Sequence, residues 1–143
     1  MCIRDSYKRI PDNDGDGLSN SYELTFALDP NSPKDADVDL DGDGFSNLSE
    51  FIAGTDPSDS SDVFRITNHE IQVDSFTIVW PSVEGRTYEV LWSTDLEVWN
   101  FHSIHQGTGD ELDTILLKND LDALDGSIGN LTNTFVRVEV FLP

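Results

Sequence analysis

The chain has 143 residues and a formal net charge of -20, from 28 acidic and 8 basic side chains. This length corresponds to one ordinary domain, or to a small domain with an additional segment. A charge this negative argues against nucleic acid and anionic membranes as partners, because both would repel it. The single cysteine, Cys2, excludes an internal disulfide framework and a cysteine-rich metal site. No apolar stretch approaches the length of a membrane helix, so we expect no membrane insertion.

The first residues are expected not to belong to the native protein. MCIRDS, residues 1–6, resembles a translated sequencing-adapter remnant of the kind found at the ends of fragmentary reading frames. We therefore interpret residues 1–11 as an N-terminal remnant and expect the chain to be part of a longer protein. Its signal peptide, anchor and further domains would then lie upstream.

The next segment contains an internal repeat with a period of 27 residues. DNDGDGLSNSYE at residues 12–23 is matched by DLDGDGFSNLSE at residues 39–50. The match extends beyond these loops, since Asp29-Pro30 and Asp35 fall on Asp56-Pro57 and Asp62. A repeat of this length indicates a structural unit that is used twice.

Each repeat is predicted to fold as a loop, a short helix and a turn, within residues 12–57. Asn20 and Asn47 are predicted helix N-caps, because each is followed three residues later by a glutamate. Tyr22 and Phe26 have the spacing of one helix face. Helices of about two turns are too short to be stable alone, so another interaction must hold them.

The acidic loops have the residue pattern of a calcium site. Calcium binds six to eight oxygens, and a twelve-residue loop supplies them from positions 1, 3, 5, 7, 9 and 12. Magnesium is a weaker candidate because it keeps its waters, and zinc and copper prefer His or Cys. We predict two calcium sites. The first set of ligands is Asp12, Asp14, Asp16, the Leu18 carbonyl, Asn20 and Glu23, and the second is Asp39, Asp41, Asp43, the Phe45 carbonyl, Asn47 and Glu50.

Isolated Asp/Gly-rich runs are often only solvated turns, but two complete loops in one repeat favour metal binding. Neither loop is preceded by a helix, and Ser19 and Ser46 stand where paired EF-hands usually have an apolar residue. The loops resemble thrombospondin type 3 repeats in a cysteine-free bacterial form and, less closely, the loop–helix half of dockerins. The resemblance covers residues 12–62 and implies a rod-like spacer filled with calcium. It also suggests additional ligands, for which turn chemistry is the alternative explanation: Asp29, Asp35, Asp37 and Asp56.

The remainder of the chain, residues 64–143 after a linker at 58–63, is predicted to be a small antiparallel β-sandwich. Apolar residues alternate at 76–80, 88–92 and 136–140, and we expect further strands at 63–68, 99–105 and 112–118. Ile78-Val79-Trp80-Pro81, Tyr88-Glu89-Val90, Ser93 and Trp99 resemble the early strands of a fibronectin type III or immunoglobulin-like domain. Trp80 and Trp92 are predicted core residues, and Trp99 is the best candidate for an exposed sugar-stacking ring.

No catalytic motif is present, and we expect the chain not to be an enzyme. The predicted function is a calcium-binding structural or adhesive module of a larger secreted or cell-surface protein, in which calcium orders a spacer. The alternative is a calcium-dependent protein- or carbohydrate-binding accessory domain of an extracellular enzyme. Tyr22, Phe26 and Phe51 distinguish the two, because exposed rings on the helices would favour a contact face.

Overall fold

A computed structural model of the protein describes residues 10–117 and 134–142. Most of the predicted N-terminal remnant, residues 1–9, therefore lies outside the described residues, as does residue 118 of the fifth predicted strand. The chain forms two compact units that divide between Val63 and Phe64. The first contains both repeats, and the second contains every strand that the structure describes.

The first unit has two short helices, α1 (Asn20–Thr25) and α2 (Asn47–Ala53), one after each acidic loop. The predicted N-caps were wrong by one residue. Ser19 and Ser46 have extended backbones, and their hydroxyls accept the N–H groups of Tyr22 and Ser49. Asn20 and Asn47 are instead the first helical residues. Their N–H groups donate at 2.8 Å to the carbonyls of residues 11 and 38, which precede each loop.

The two repeats pack against each other through aromatic rings. The ring of Tyr22 in α1 lies 4.7 Å from that of Phe26 and 4.7 Å from that of Phe51 in α2. All three rings are half-buried. Leu18 and Ala36 are buried in the same unit, at 0% and 3% exposure. This contact between the helices gives the repeats a small apolar core.

The segment predicted as a linker, residues 58–63, is largely turn structure that folds back onto the second repeat. Asp59 N–H donates to the Asp56 carbonyl at 3.0 Å, and Asp62 N–H donates to the Asp59 carbonyl at 2.8 Å. The Asp62 carboxylate in turn accepts the Asp56 N–H at 3.0 Å. The second repeat therefore extends to Asp62.

The described residues of the second unit form six antiparallel strands in two three-stranded sheets, with orders β1-β2-β5 and β4-β3-β6. The strands are β1 (Asn68–Ile71), β2 (Ser75–Pro81), β3 (Thr87–Ser93), β4 (Asn100–Gln106), β5 (Glu111–Leu117) and β6 (Phe135–Phe141). The prediction of a mainly β unit with six antiparallel strands is confirmed.

The first strand was predicted too early, at 63–68. Residues 63–67 are not part of a strand, and Phe64 instead packs against the core, with its ring stacked on that of Tyr88 and the ring centroids 5.8 Å apart. Pairing with β2 begins only where the Thr67 N–H donates to the Val79 carbonyl at 2.8 Å. The four residues of β1 are all exposed, which explains why apolar alternation did not locate them.

One apolar core lies between the two sheets, as in a β-sandwich. Ile78, Trp80 and Leu116 come from the first sheet, and Tyr88, Val90 and Trp92 from the second, all at 0% exposure. The prediction that Trp80 and Trp92 are core residues is confirmed. Burial of these large side chains stabilises the second unit through the hydrophobic effect. The first unit buries fewer large apolar side chains and gains much less from this effect.

The two helices end differently, and the difference predicts a stabilising substitution. Gly54 ends α2 in the left-handed region with φ 84°, and the equivalent residue after α1 is Ala27, with φ 58°. A Cβ in this region costs about 1–2 kcal/mol. We expect Ala27→Gly to stabilise the first repeat by about 1 kcal/mol and Gly54→Ala to destabilise the second by a similar amount. Amide hydrogen exchange in α1 and α2 measures both effects. Faster exchange in α1 of the Ala27→Gly protein would contradict this expectation.

Candidate metal centre

Each acidic loop is closed by its first aspartate. Asp12 accepts the N–H groups of Gly15 and Gly17 at 2.7 and 3.3 Å. Asp39 accepts those of Gly42 and Gly44 at 2.7 and 2.9 Å. The sixth loop residue has φ 97° in the first loop and 102° in the second, which explains the requirement for glycine there. The sequence repeat therefore produces the same hydrogen-bonded turn twice.

The turns gather carboxylates into clusters. Ligand oxygens within each of three groups lie within 4.8 Å of one another, and these clusters can hold a metal ion. The groups are Asp12, Asp14 and Asp16; Asp16, Glu23 and Asp35; and Asp39, Asp41 and Asp43. The first two groups share Asp16, so they form one continuous centre of five carboxylates, which we call the first centre.

A glutamate from the following helix completes each loop. Glu23 and Glu50 each lie one turn into a helix, and helical side chains tilt toward the N-terminus. Each glutamate is therefore directed back toward its own loop. Glu23 is 0% exposed and Glu50 is 2% exposed. The charges of Asp41 and Asp43 act on Glu50, so we group it with the third cluster as the second centre.

Many oxygens in both centres are buried and have no hydrogen-bond donor among the described residues. In the first centre they are both oxygens of Asp14 and Glu23, Oδ2 of Asp16 and Oδ1 of Asp35. In the second they are Oδ2 of Asp41 and Asp43 and Oε2 of Glu50. Buried charged oxygens without partners are very costly unless they coordinate a cation. The donor set therefore fits a metal ion at each centre.

The charges of the clustered groups also perturb their protonation. Burial, followed by the charges of Asp14, Asp16 and Asp35, raises the pKa of Glu23 to about 7. Burial, followed by the charges of Asp41 and Asp43, raises the pKa of Glu50 to about 7. Between residues 10 and 63 the sequence has fourteen acids and one base, Lys34, and its side chain is exposed. Within this described segment, no buried basic side chain neutralises the clusters.

Asp35 is the only one of the four suggested additional ligands that joins a cluster of described residues. Its Oδ2 accepts the Asp29 N–H at 2.7 Å, which leaves Oδ1 directed at Asp16 and Glu23. Asp29 and Asp56 instead accept the N–H groups of Asn31 and Ser58, at 3.1 and 2.9 Å. Their main role is turn chemistry, while Asp37 is exposed. The resemblance to thrombospondin type 3 repeats suggested all four residues, and the sequence alone did not separate Asp35 from the other three.

The remaining predicted ligands are two asparagine side chains and two backbone carbonyls. Asn20 Oδ1 accepts the Asn13 N–H at 2.9 Å and so helps to close the first loop. Asn47 is fully buried, with Oδ1 lacking a donor among the described residues and Nδ2 donating to the Asp35 carbonyl at 2.8 Å. The N–H groups of Leu18 and Phe45 donate at 2.8 Å to Asp16 and Asp43. Coordination by their carbonyls stays a prediction.

Comparison of the chain with protein-family models, curated proteins and solved structures finds no match. Among the described residues, no helix is both long enough and apolar enough to span a membrane.

The raised pKa values of Glu23 and Glu50 predict how pH affects the metal-free protein. Protonation of a carboxyl with a raised pKa favours the folded state. Its contribution to stability is therefore complete below about pH 4.5 and is lost as the pH rises through about 7. We therefore expect far-ultraviolet circular dichroism of the metal-free protein to show more helix at pH 5 than at pH 8.

The control is the double variant Glu23→Gln, Glu50→Gln, in which neither position titrates. Its helical signal in the absence of metal should change much less between the two pH values. An equal pH dependence in the wild-type and double-variant proteins would show that other groups govern this unit.

Proposed function

We propose that the chain is a calcium-binding structural module that holds two calcium ions, one at each centre. The main support for this proposal is the pair of buried glutamates, Glu23 and Glu50. Each has a carboxylate oxygen without a hydrogen-bond donor among the described residues, and each belongs to the same centre as the aspartates of its own loop. Carboxylates buried in this way without cationic side chains stay charged only at a high cost in free energy unless a bound cation neutralises them.

The chemistry of the donors favours calcium over other metals. All the clustered donors are carboxylate oxygens. Calcium takes six to eight oxygens in flexible geometry, whereas magnesium requires a near-ideal octahedron and retains several waters. Zinc and copper prefer nitrogen or sulfur ligands, and the clusters contain neither histidine nor cysteine. We propose Asp12, Asp14, Asp16, Glu23 and Asp35 for the first ion, and Asp39, Asp41, Asp43 and Glu50 for the second. The Leu18 and Phe45 carbonyls, Asn20 and Asn47 complete the sets.

The contacts between the repeats support a structural role. Asp35 belongs to the first centre, yet its carbonyl accepts the Asn47 side chain at 2.8 Å. Beside it, Leu48 N–H donates to the Ala36 carbonyl at 3.0 Å. A cation bound by Asp35 therefore stabilises the segment that carries the second helix. Binding at a hundredfold excess over the dissociation constant contributes about 2.7 kcal/mol for each site, which is large for so small a unit.

We propose that the two repeats form a calcium-ordered spacer of the thrombospondin type 3 kind and that the β unit is an end or adhesion domain of fibronectin type III-like design. The proposed location is extracellular or at the cell surface. Calcium sites of extracellular modules commonly have dissociation constants of about 10⁻⁴–10⁻³ M, which suits exposed loops of this kind. The proposed role is binding and spacing, with catalysis left to other parts of a longer protein.

The aromatic side chains favour the spacer over the alternative of a contact module. Tyr22, Phe26 and Phe51 contact one another between the helices, so their rings contribute to the packing of the repeats. In the β unit, the guanidinium of Arg137 lies 4.2 Å from the centre of the half-buried Trp99 ring. That arrangement covers one ring face on which a sugar would otherwise stack. Neither group therefore forms an open aromatic platform.

Isothermal titration calorimetry of the full chain should detect two calcium ions. We expect Glu23→Gln and Glu50→Gln each to weaken one site by at least about tenfold, because a carboxylate ligand is lost. Asp35→Asn should weaken only the first site. Asp37→Asn is the matched control, since it removes an exposed charge between the loops without removing a clustered oxygen. Two unchanged sites in both glutamate variants would refute the proposed centres.

Removal of calcium should unfold one unit and leave the other intact. We expect limited proteolysis in the presence of a chelator to cleave within residues 12–57, while the β unit persists as a resistant fragment. Trp80, Trp92 and Trp99 all lie in the β unit, so tryptophan fluorescence should change little. Helicity and cleavage that are unchanged after chelation would contradict a spacer that calcium orders.

A further inference from the structure

Strand β6 has a free edge among the described residues. It is the outer strand of the sheet β4-β3-β6, and it pairs with β3 from Phe135 to Phe141. Within residues 10–117 and 134–142, no strand pairs with its other edge. An edge strand presents backbone N–H and C=O groups that can pair with another strand. The sequence of β6 identifies which strand fits this edge.

The β6 sequence, FVRVEVF, complements itself when it is reversed. In an antiparallel pair of two copies centred on Val138, Val136 lies opposite Val140 and Phe135 lies opposite Phe141. Arg137 lies opposite Glu139, so the only two charged positions meet with opposite sign. Because the axis is twofold, each of these pairs occurs twice. A register shifted by two residues loses this charge match.

The two faces of β6 also agree with this pairing. The β3 register places Val136, Val138 and Val140 opposite Trp92, Val90 and Tyr88. The three valines lie on the core face, against the buried cluster. Phe135 and Phe141 lie on the opposite face and are each 42% exposed. Directly opposed residues of an antiparallel pair share a face, so the pairing joins valine to valine and phenylalanine to phenylalanine.

Glu139 lies beside another negative charge, and a second copy of the chain would offset this repulsion. In the sheet, Glu139 lies directly opposite Glu89 of β3, and like charges at this position repel. Within the same strand, Arg137 forms an ion pair with Glu139 at 2.7 Å, and its guanidinium also lies 4.2 Å from the centre of the Trp99 ring. The symmetric pairing would bring a second arginine to the free side of Glu139. Natural edge strands often carry charges that prevent pairing, but here the charges are arranged so that identical strands attract.

We propose that this protein forms a twofold-symmetric dimer through antiparallel pairing of β6 with β6 of a second copy. The sheet β4-β3-β6 of one copy and the same sheet of the other become one continuous six-stranded sheet. Two Arg137 and two Glu139 side chains alternate around its centre. This interface is independent of the calcium proposal, because it involves only the β unit. The net charge of -20 on each chain opposes association, so salt and bound cations should favour the dimer.

The test is analytical ultracentrifugation of the full chain over a concentration series, in calcium and physiological salt. We expect a reversible monomer–dimer equilibrium for the wild-type protein. Arg137→Glu and Glu139→Arg should each weaken self-association by at least about tenfold, because two attractive pairs become repulsive. The double variant, Arg137→Glu with Glu139→Arg, should dimerise again, because every pair regains opposite charges. A mixture of the two single variants should form a heterodimer for the same reason.

Matched controls separate loss of pairing from loss of folding. Glu70→Lys reverses an exposed charge on β1, in the other sheet, and should leave the dimer unchanged. A cooperative thermal unfolding transition confirms that each variant has a folded β unit, because replacing Arg137 changes the surroundings of Trp99 directly. A wild-type protein that stays monomeric, or assembles beyond a dimer, overturns the proposal. Full dimerisation of either single variant, or failure of both the double variant and the mixture to associate, overturns it as well.

Discussion

The repulsion among buried carboxylates is the constraint on which the first unit depends. Its two helices have six and seven residues, lengths at which an isolated helix does not persist in water. Each helix nevertheless carries a glutamate into a cluster of aspartates, where burial and neighbouring charge raise its pKa to about 7. A bound cation reverses the sign of this interaction, so that the same oxygens hold the loop and the helix together.

The second unit is stabilised by a different physical effect. Its core contains Trp80, Tyr88 and Trp92, all fully buried between two sheets. Burial of such side chains stabilises a fold without any ion, since it depends on removing apolar surface from water. The proposed calcium sites would therefore make the order of the first unit depend on its ionic environment, while the order of the second would not. This contrast follows from the sequence, where acids are patterned only before Val63 and apolar residues alternate only after it.

The repeat made the first unit largely predictable. Residues 27 apart form the same hydrogen bonds, as when Asp29 and Asp56 donate their N–H groups to Asp35 and Asp62. The cap positions were missed because serine and asparagine are both good caps, and only the backbone angles distinguish them. Strand β1 was misplaced because an exposed strand has no apolar alternation. Clustering of Asp35 depends on how the chain returns to the first loop, which sequence spacing does not determine.

After α1 the chain returns to the first acidic loop, where Asp35 joins the first centre. This arrangement has a mechanical consequence. Asp35 lies in the same centre as Asp16 and Glu23, so a bound cation would join it to the loop that begins at Asp12. The 24 residues from Asp12 to Asp35 would then form a ring closed by the ion. When fully extended, a segment of this length spans roughly 80 Å. Tension applied to the two ends of the repeat would act on the metal–oxygen contacts before it reached the helix inside the ring. The ion would thus set how much chain is available for stretching.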